Sequence, residues 1–501
     1  MKKKTQARPA APRGKAAAKP APANSRGAAE PAVLRFTVDA PDPVAVFLAL
    51  RGRTQGACLL ESAAEPDEAS KKISLIALEP EFRLVSDSGR SRVDGLHGPP
   101  LLPGESPFAW LRRVLAARKS SDSRIPAASG GAIGYAGFDF SLQLDPGLPR
   151  RGKPGAPGHD LSLSFHRILI EIDPLRSQVT IAVRPRPGMP AARARAEAQR
   201  DAKTIAALVR DAPAAAKRPG KSSPVEFTSR LRSDDFLNAV TASREAIVGG
   251  HFYNVVLAQP FFARSSLSPF LLYRRLREAF QTPYQYFLEL PECAVAGASP
   301  DGLLYSNGRR AEVRVGSGMR PRGDTREMDE HATRELQSDI KEAAEHHQLV
   351  DLARDDLSGV CVPGSVRLAE FKQVQRLPRS QQLFSRVTGE LAPGRDALDA
   401  FAACFPSGAV TGMPRRRALA TIEEVEPVRR GVYGGAVLLL MPNGRLESCV
   451  ALQQLTTHAG VLWALTSAGV SSDSVPESES HDCLNNLARL QDAAAGGEAG
   501  T

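Results

Sequence analysis

Apolar and polar positions along the chain fall into two periods. "AVLRFTV" (32–38) reads as a strand, and "VAVFLAL" (44–50) as a helix or a second strand. "KKISLIALEPEFRLVSDSGRSRV" (71–93) alternates and then turns, which predicts a hairpin. "LSLSFHRILIEIDPLRSQVTIAVRP" (161–185) is the clearest hairpin, with "DPLRSQ" at its turn. The helical period appears in "FAWLRRVLAARKS" (108–120) and in "PAARARAEAQRDAKTIAALVRD" (190–211), a run of good helix formers. "APAAAKRPGKSSP" (212–224) breaks the pattern with Pro, Gly and Lys and reads as a linker or surface loop. Beyond it, "DDFLNAVTASREAIVGG" (234–250) predicts a helix with an Asp cap and a Gly stop. "TREMDEHATRELQSDIKEAAEHHQLVDLARDDL" (325–357) predicts one long helical stretch. Residues 424–470 read as a meander of strands with an Asn443–Gly444 hairpin turn, and a last helix follows. Strands come in antiparallel runs without βαβ alternation, so the expected class is α+β.

This reading divides the chain into a tail (1–31), a first half (32–211), a connecting segment (212–225), a second half (226–492) and a short C-terminal tail (493–501). A net charge of +10 invites a nucleic-acid reading, but residues 1–31 hold eight Lys or Arg against Glu30 alone, which is +7 of that total. The body of the chain is therefore close to neutral, and no nucleic-acid partner is expected. The Ala/Pro/Lys composition of the tail predicts disorder. No apolar run approaches the ~20 residues of a membrane span. The six cysteines form no CxxC or zinc spacing and read as reduced thiols of a cytoplasmic protein.

Two acidic pairs carry candidate chemistry. Glu479 and Asp482 are spaced i, i+3 in the last helix, and Glu342 and Glu345 share that spacing in the long helical stretch. Each pair lies on one helix face. Carboxylates are the ligands magnesium prefers, so two such pairs facing each other would form a site; a solvated helix face is the alternative. "VGSGMRPRGD" (315–324) and "FPSGAVTGMPRRRA" (405–418) are Gly-rich loops with Arg, a combination that suits an anion.

Together "KEAAEH", "VDLARDD", "VRVGSGMRPRG", "FPSGAVTGMPRRRA", "RRGVYGGA" and "DSVPE" resemble, in order and spacing, the chorismate-utilising enzymes over about residues 32–490. Anthranilate synthase component I is the nearest form, with the aminodeoxychorismate synthases close by. The resemblance implies antiparallel sheets in a sandwich flanked by helices, a lyase acting on chorismate, and Mg²⁺ held by Glu342, Glu345, Glu479 and Asp482. It also implies a separate glutamine amidotransferase subunit, or free ammonia, as nitrogen source.

Within that resemblance, Asn254 stands where water-using members have a basic Lys. An amide cannot act as that base, so ammonia is the expected nucleophile. Ser317 stands where covalent members have Lys. Asp301 matches an acid of the site, and Gln382 replaces a His linked to proton transfer. Gly318, Tyr433 and Gly469 match substrate-binding positions. Met319 and Ala409 replace Thr, Gln453 replaces the Arg that grips a carboxylate, Asn486 replaces Lys, and Arg415 replaces Lys with its charge kept. Ser62, in "LLES", matches a feedback-tryptophan position, but "FQTPYQYF" (280–287) departs from the matching loop, so weak or no inhibition is expected. Three outcomes stay open: an active anthranilate-synthase-like enzyme, a related enzyme with altered substrate or product, and a non-catalytic homologue that binds or regulates.

Overall fold

The computed structural model describes residues 30–39, 41–52, 55–62, 73–229 and 233–497. The expected tail falls almost wholly outside them. Among the described residues, nineteen strands join in one hydrogen-bonded network, with antiparallel strand pairing throughout. The fold is α+β, as the run of hairpins predicts.

Alternation along the strands creates the layers. Ile133 and Tyr135 of one strand and Val437 and Leu439 of its neighbour share a central cluster with Leu75, Tyr286, Leu288 and Val295. Their sequence neighbours Ala132, Ala136, Leu438 and Leu440 turn to the opposite face. That period of two is what a sandwich requires. One outer face is covered by the helices Pro43–Arg51, Ala191–Arg210 and Pro269–Phe280. The other is covered by Pro107–Ala117, Ile340–Ser358, Ala397–Cys404 and Arg415–Val425. All six cysteines are free and buried. No helix among the described residues is long and apolar enough to cross a membrane.

The structure corrects the sequence reading at four places. Stretch 43–51, left open above, is a helix, capped by Asp42, whose side chain accepts from Val44 N. The long helical stretch is two helices, Arg326–Ser338 and Ile340–Ser358. Asp339 breaks it in extended geometry, and its side chain accepts from Glu342 N, capping the second helix. The helix expected from Asp234 starts at Ser233, which places Asp234 and Asp235 in its first turn rather than at a cap. The last helix, Pro476–Ala495, runs past residue 492 and buries Ala493 and Ala494, so residues 493–495 belong to that helix.

The two halves of the sequence do not form two separate sheets. Strand Cys58–Ser62 pairs with Tyr284–Glu289, and Ala132–Ala136 pairs with Ala436–Leu440. Segment 212–225 has no regular secondary structure, yet it is tethered: Ala216 N donates to Asp42 Oδ2 at 2.7 Å and Ser222 N to Ala495 O at 2.9 Å.

Candidate functional site

Four segments converge on one region: the strand Asn254–Arg264, the strand Arg310–Pro321, the strand Ser380–Glu390 and the turn at Asp301. Asp301 is held by its backbone. Its N–H donates to Ser299 Oγ at 3.2 Å, and its carbonyl accepts from Val450 N at 3.0 Å. The residue as a whole is half-buried while its carboxyl is desolvated, and it lines a cavity of about 40 Å³ together with Gly316, Ala409 and Arg415. Burial alone pushes this carboxyl up to about 7, with no cation set against it. Arg415, read from sequence as a kept charge, is neutralised: its guanidinium forms a two-pronged pair with Asp356, one arm at 2.8 Å. It is anchored further by a bond to Ala403 O.

Gln382 is buried, and its Nε2 donates to Gln375 Oε1 at 3.0 Å across the pair of strands. Ser317 Oγ is 2.7 Å from His346 Nδ1, and His346 Nε2 is 2.7 Å from Ser385 Oγ. Burial, then the neighbouring His347 and Lys372, push His346 down to about 4, so its ring is neutral near pH 7. Ser317 is thus held by the metal-candidate helix. Asn254 commits its side chain to neighbours: Oδ1 accepts from Met413 N at 2.8 Å and Nδ2 donates to Gln348 Oε1 at 3.4 Å.

Behind these groups lies a buried ion pair that sequence reasoning missed. Arg430 donates to Glu426, to Val410 O at 2.7 Å and to Val256 O at 2.6 Å. Glu426 in turn accepts from Ala258 N at 2.7 Å. The pair ties the strand that starts at Asn254 to the turn that carries Ala409. Tyr433 OH is 2.8 Å from Ser467 Oγ, and burial raises that phenol to about 12. The space beside Gly469 is open, since a Cβ there would meet nothing within 4 Å. Gln453 adopts left-handed backbone (φ +44°), and its Oε1 is buried with no partner. An unpartnered buried acceptor costs about 1–3 kcal/mol, and left-handed backbone at a non-glycine residue adds strain.

The acidic quartet is only partly gathered. Glu345 has its carboxyl raised by partial desolvation, and further by Glu342, Asp339 and Glu479, with Lys341 opposing. The two helices therefore bring Glu345 and Glu479 into each other's field. The Gly-rich stretch read from sequence as a loop lies largely in the strand Arg310–Pro321, and it engages Glu342: Arg320 Nη1 lies 3.1 Å from its Oε1, and Arg320 Nη2 lies 3.0 Å from Asp339. Gly318, in left-handed backbone (φ +66°), lets Glu342 Oε2 approach where a Cβ would be 2.9 Å away. Asp482 and Asn486 are exposed on the last helix, and Met319 is half-buried next to Arg320. Among the described residues, no group of three or more His, Cys, Asp or Glu side chains is already gathered as a metal site. The donor chemistry, all hard carboxylate oxygen, fits magnesium, and the mutual repulsion at Glu345 is what a cation offsets. Ser62 pairs in backbone register with Tyr284, and its side chain lies outside the described residues. The neighbouring Glu61 is occupied by Arg277 (2.7 and 2.9 Å) and by the Tyr273 hydroxyl.

Comparison with known proteins adds family context to this geometry. A family model described as chorismate binding enzyme matches residues 56–492. Anthranilate synthase component 1 of Bacillus caldotenax is 31% identical over 481 residues, covering 92% of this chain and 93% of that protein. The same component of Thermus thermophilus is 32% identical over 93% of this chain and 98% of that protein. The crystal structure of anthranilate synthase component I from Streptococcus pneumoniae aligns with a TM-score of 0.73 at 25% identity, covering 88% of this chain and 96% of that one. The menaquinone-specific isochorismate synthase from Escherichia coli shares the fold, with a TM-score of 0.67 at 18% identity over 94% of this chain and 96% of that one.

Proposed function

The chain belongs to the chorismate binding enzyme family, and on that premise we propose that it adds ammonia to chorismate in an anthranilate synthase component I-like reaction. The observation that carries the reading is Asp301, a carboxyl raised to about 7 by burial and opposed by no cation. Such a group is protonated for a large fraction of the time near neutral pH, which is what protonating a departing ring hydroxyl requires. Asn254 favours ammonia over water, because its amide has no basic lone pair and its side chain is already bonded to Met413 and Gln348. Ammonia would come from a separate glutamine amidotransferase subunit or from solution.

Loss of pyruvate to give anthranilate needs a base for a ring proton. Gln382 has no titratable group, and its amide is tied to Gln375. Losing a general base costs about 10²–10⁴ in rate. The aminodeoxyisochorismate intermediate therefore accumulates over anthranilate. Glu342, Glu345, Glu479 and Asp482 would hold a Mg²⁺ ion, which neutralises a ligand carboxylate when bound. The test is incubation of the protein with chorismate, Mg²⁺ and ammonium, with products read by mass spectrometry. Gln382→His should raise the anthranilate fraction. Isochorismate or salicylate as main product would overturn the ammonia reading.

A second reading is favoured by Gln453 and Arg415. Gln453 offers a neutral, unpartnered amide oxygen, and Arg415 is neutralised by Asp356. A related ligand that carries a hydrogen-bond donor where chorismate has a carboxylate would suit that amide better. Tighter binding of such a ligand than of chorismate would select this reading. Chorismate binding without any turnover would point instead to a binding or regulatory subunit.

A further inference from the structure

Gly316 sits within the strand Arg310–Pro321, opposite Phe384 of its neighbour. Its backbone is not left-handed, so conformation does not call for glycine. A glycine inside a strand costs roughly 0.5–1 kcal/mol relative to alanine, and such a residue often marks a close approach. Here the approach is by side chains. A Cβ at Gly316 would lie 2.8 Å from Asp301 Oδ1, 2.8 Å from Gln382 Nε2 and 3.1 Å from Gln382 Cδ. These atoms arrive from two separate segments, and both are held from behind. Asp301 is pinned by Ser299 and Val450, and Gln382 by Gln375. Two polar groups thus converge on the volume a methyl group would fill.

We propose that Gly316 is a positioning residue for the Asp301 acid: the missing side chain admits the carboxyl and the Gln382 amide to one nook, and so sets the acid's place and its dryness. The role given to Asp301 rests on the proposed function; the packing does not. The charged and titratable groups around the nook are matched elsewhere. Arg314 pairs with Glu312 at 2.8 Å, Arg415 pairs with Asp356, and the Cys449 thiol is pushed up to about 12, first by burial and also by Asp301. Burial is then left as the cause that keeps the Asp301 proton on, and the width of the nook controls burial. An added methyl would displace the tips of two side chains rather than backbone, so the fold should survive it.

The test compares the full-length wild type, Gly316→Ala, and the double variant Gly316→Ala with Gln382→Ala. The Asp301 carboxyl is followed by ¹³C NMR in aspartate-labelled protein and assigned by its loss in Asp301→Asn. In Gly316→Ala the carboxyl should be pushed out of the nook and lose part of its burial, and its midpoint should fall by about one unit or more. The double variant vacates one occupant and should restore the wild-type midpoint. With chorismate and ammonium, kcat of Gly316→Ala should fall by roughly tenfold to a hundredfold with KM little changed. An unchanged Asp301 midpoint in Gly316→Ala, or failure of the double variant to restore it, would overturn the proposal. Loss of folding in both variants would overturn it too, because the clash would not then be with Gln382. A wild type that does not turn over chorismate would remove the acid role of Asp301 and leave the titration to decide the role of Gly316.

Discussion

The Glu426–Arg430 pair and the Asp301–Gln453 region treat buried polarity in opposite ways. Arg430 is almost wholly buried, and its donors go to Glu426 and to two backbone carbonyls, while its guanidinium lies 4.1 Å from the Phe138 ring centroid. Asp301 has no cation, and Gln453 Oε1 has no partner. The contrast shows a division of labour. Polar groups behind the site are committed to placing the strand from Asn254 and the turn at Ala409. At Asp301 and Gln453 the polar atoms lack such partners, at a cost in stability.

The largest expected effect belongs to the rear. Arg430→Ala leaves Glu426 buried and unpaired and should lower stability by about 3–5 kcal/mol in urea unfolding. A loss under about 1 kcal/mol would show that the pair is not what holds the strand and turn together.

Asp301→Asn should do the reverse, harming turnover and sparing the fold. Removal of the acid should slow amination by about 10²–10⁴. Its effect on stability has a definite sign. The folded-state midpoint, about 7, lies above the ordinary carboxyl value, so folded protein retains a proton that unfolded chain has released. That contribution is fully present below about pH 4 and is lost as pH rises through 7. Asp301→Asn should therefore gain stability on wild type above pH 7 and match it near pH 4. Melting curves across that range would show it, and parallel curves would contradict the assigned midpoint.

Smaller effects belong to the helix carboxylates and to Gln453. Glu345→Gln and Asp482→Asn should each weaken Mg²⁺ binding by on the order of tenfold to a hundredfold in calorimetry with chorismate present. Unchanged affinity in both would remove the metal from between the helices. Gln453→Arg should tighten chorismate binding by about tenfold, because an Arg–carboxylate contact replaces a neutral amide. No gain would mean that residue 453 does not face a carboxylate.

Much of this was legible in the sequence because it is local. Alternation in 161–185 and the Asn443–Gly444 turn depend on neighbours a few residues away, and the i, i+3 acids follow from helix period alone. What was hidden depends on distant partners. Asp339 suits either a helix surface or a cap, and tertiary packing selects the cap. The charge of Arg415 is visible in sequence, but its neutralisation by Asp356, 59 residues away, is not. Gly316 stood in "VGSG", read as part of a Gly-rich loop, and only the fold places it inside a strand with Asp301 and Gln382 filling its place. The continuity of the sheet across 212–225 likewise rests on pairings such as Leu59 with Phe287 that no local pattern encodes.

The most direct measurement is a time course of purified protein with chorismate, Mg²⁺ and ammonium, with every product resolved by mass spectrometry. The expected result is an aminated ring product in which aminodeoxyisochorismate exceeds anthranilate, with that balance shifting towards anthranilate in Gln382→His. Hydroxylated product in place of aminated product, or clean conversion to anthranilate by the wild type, would contradict the account.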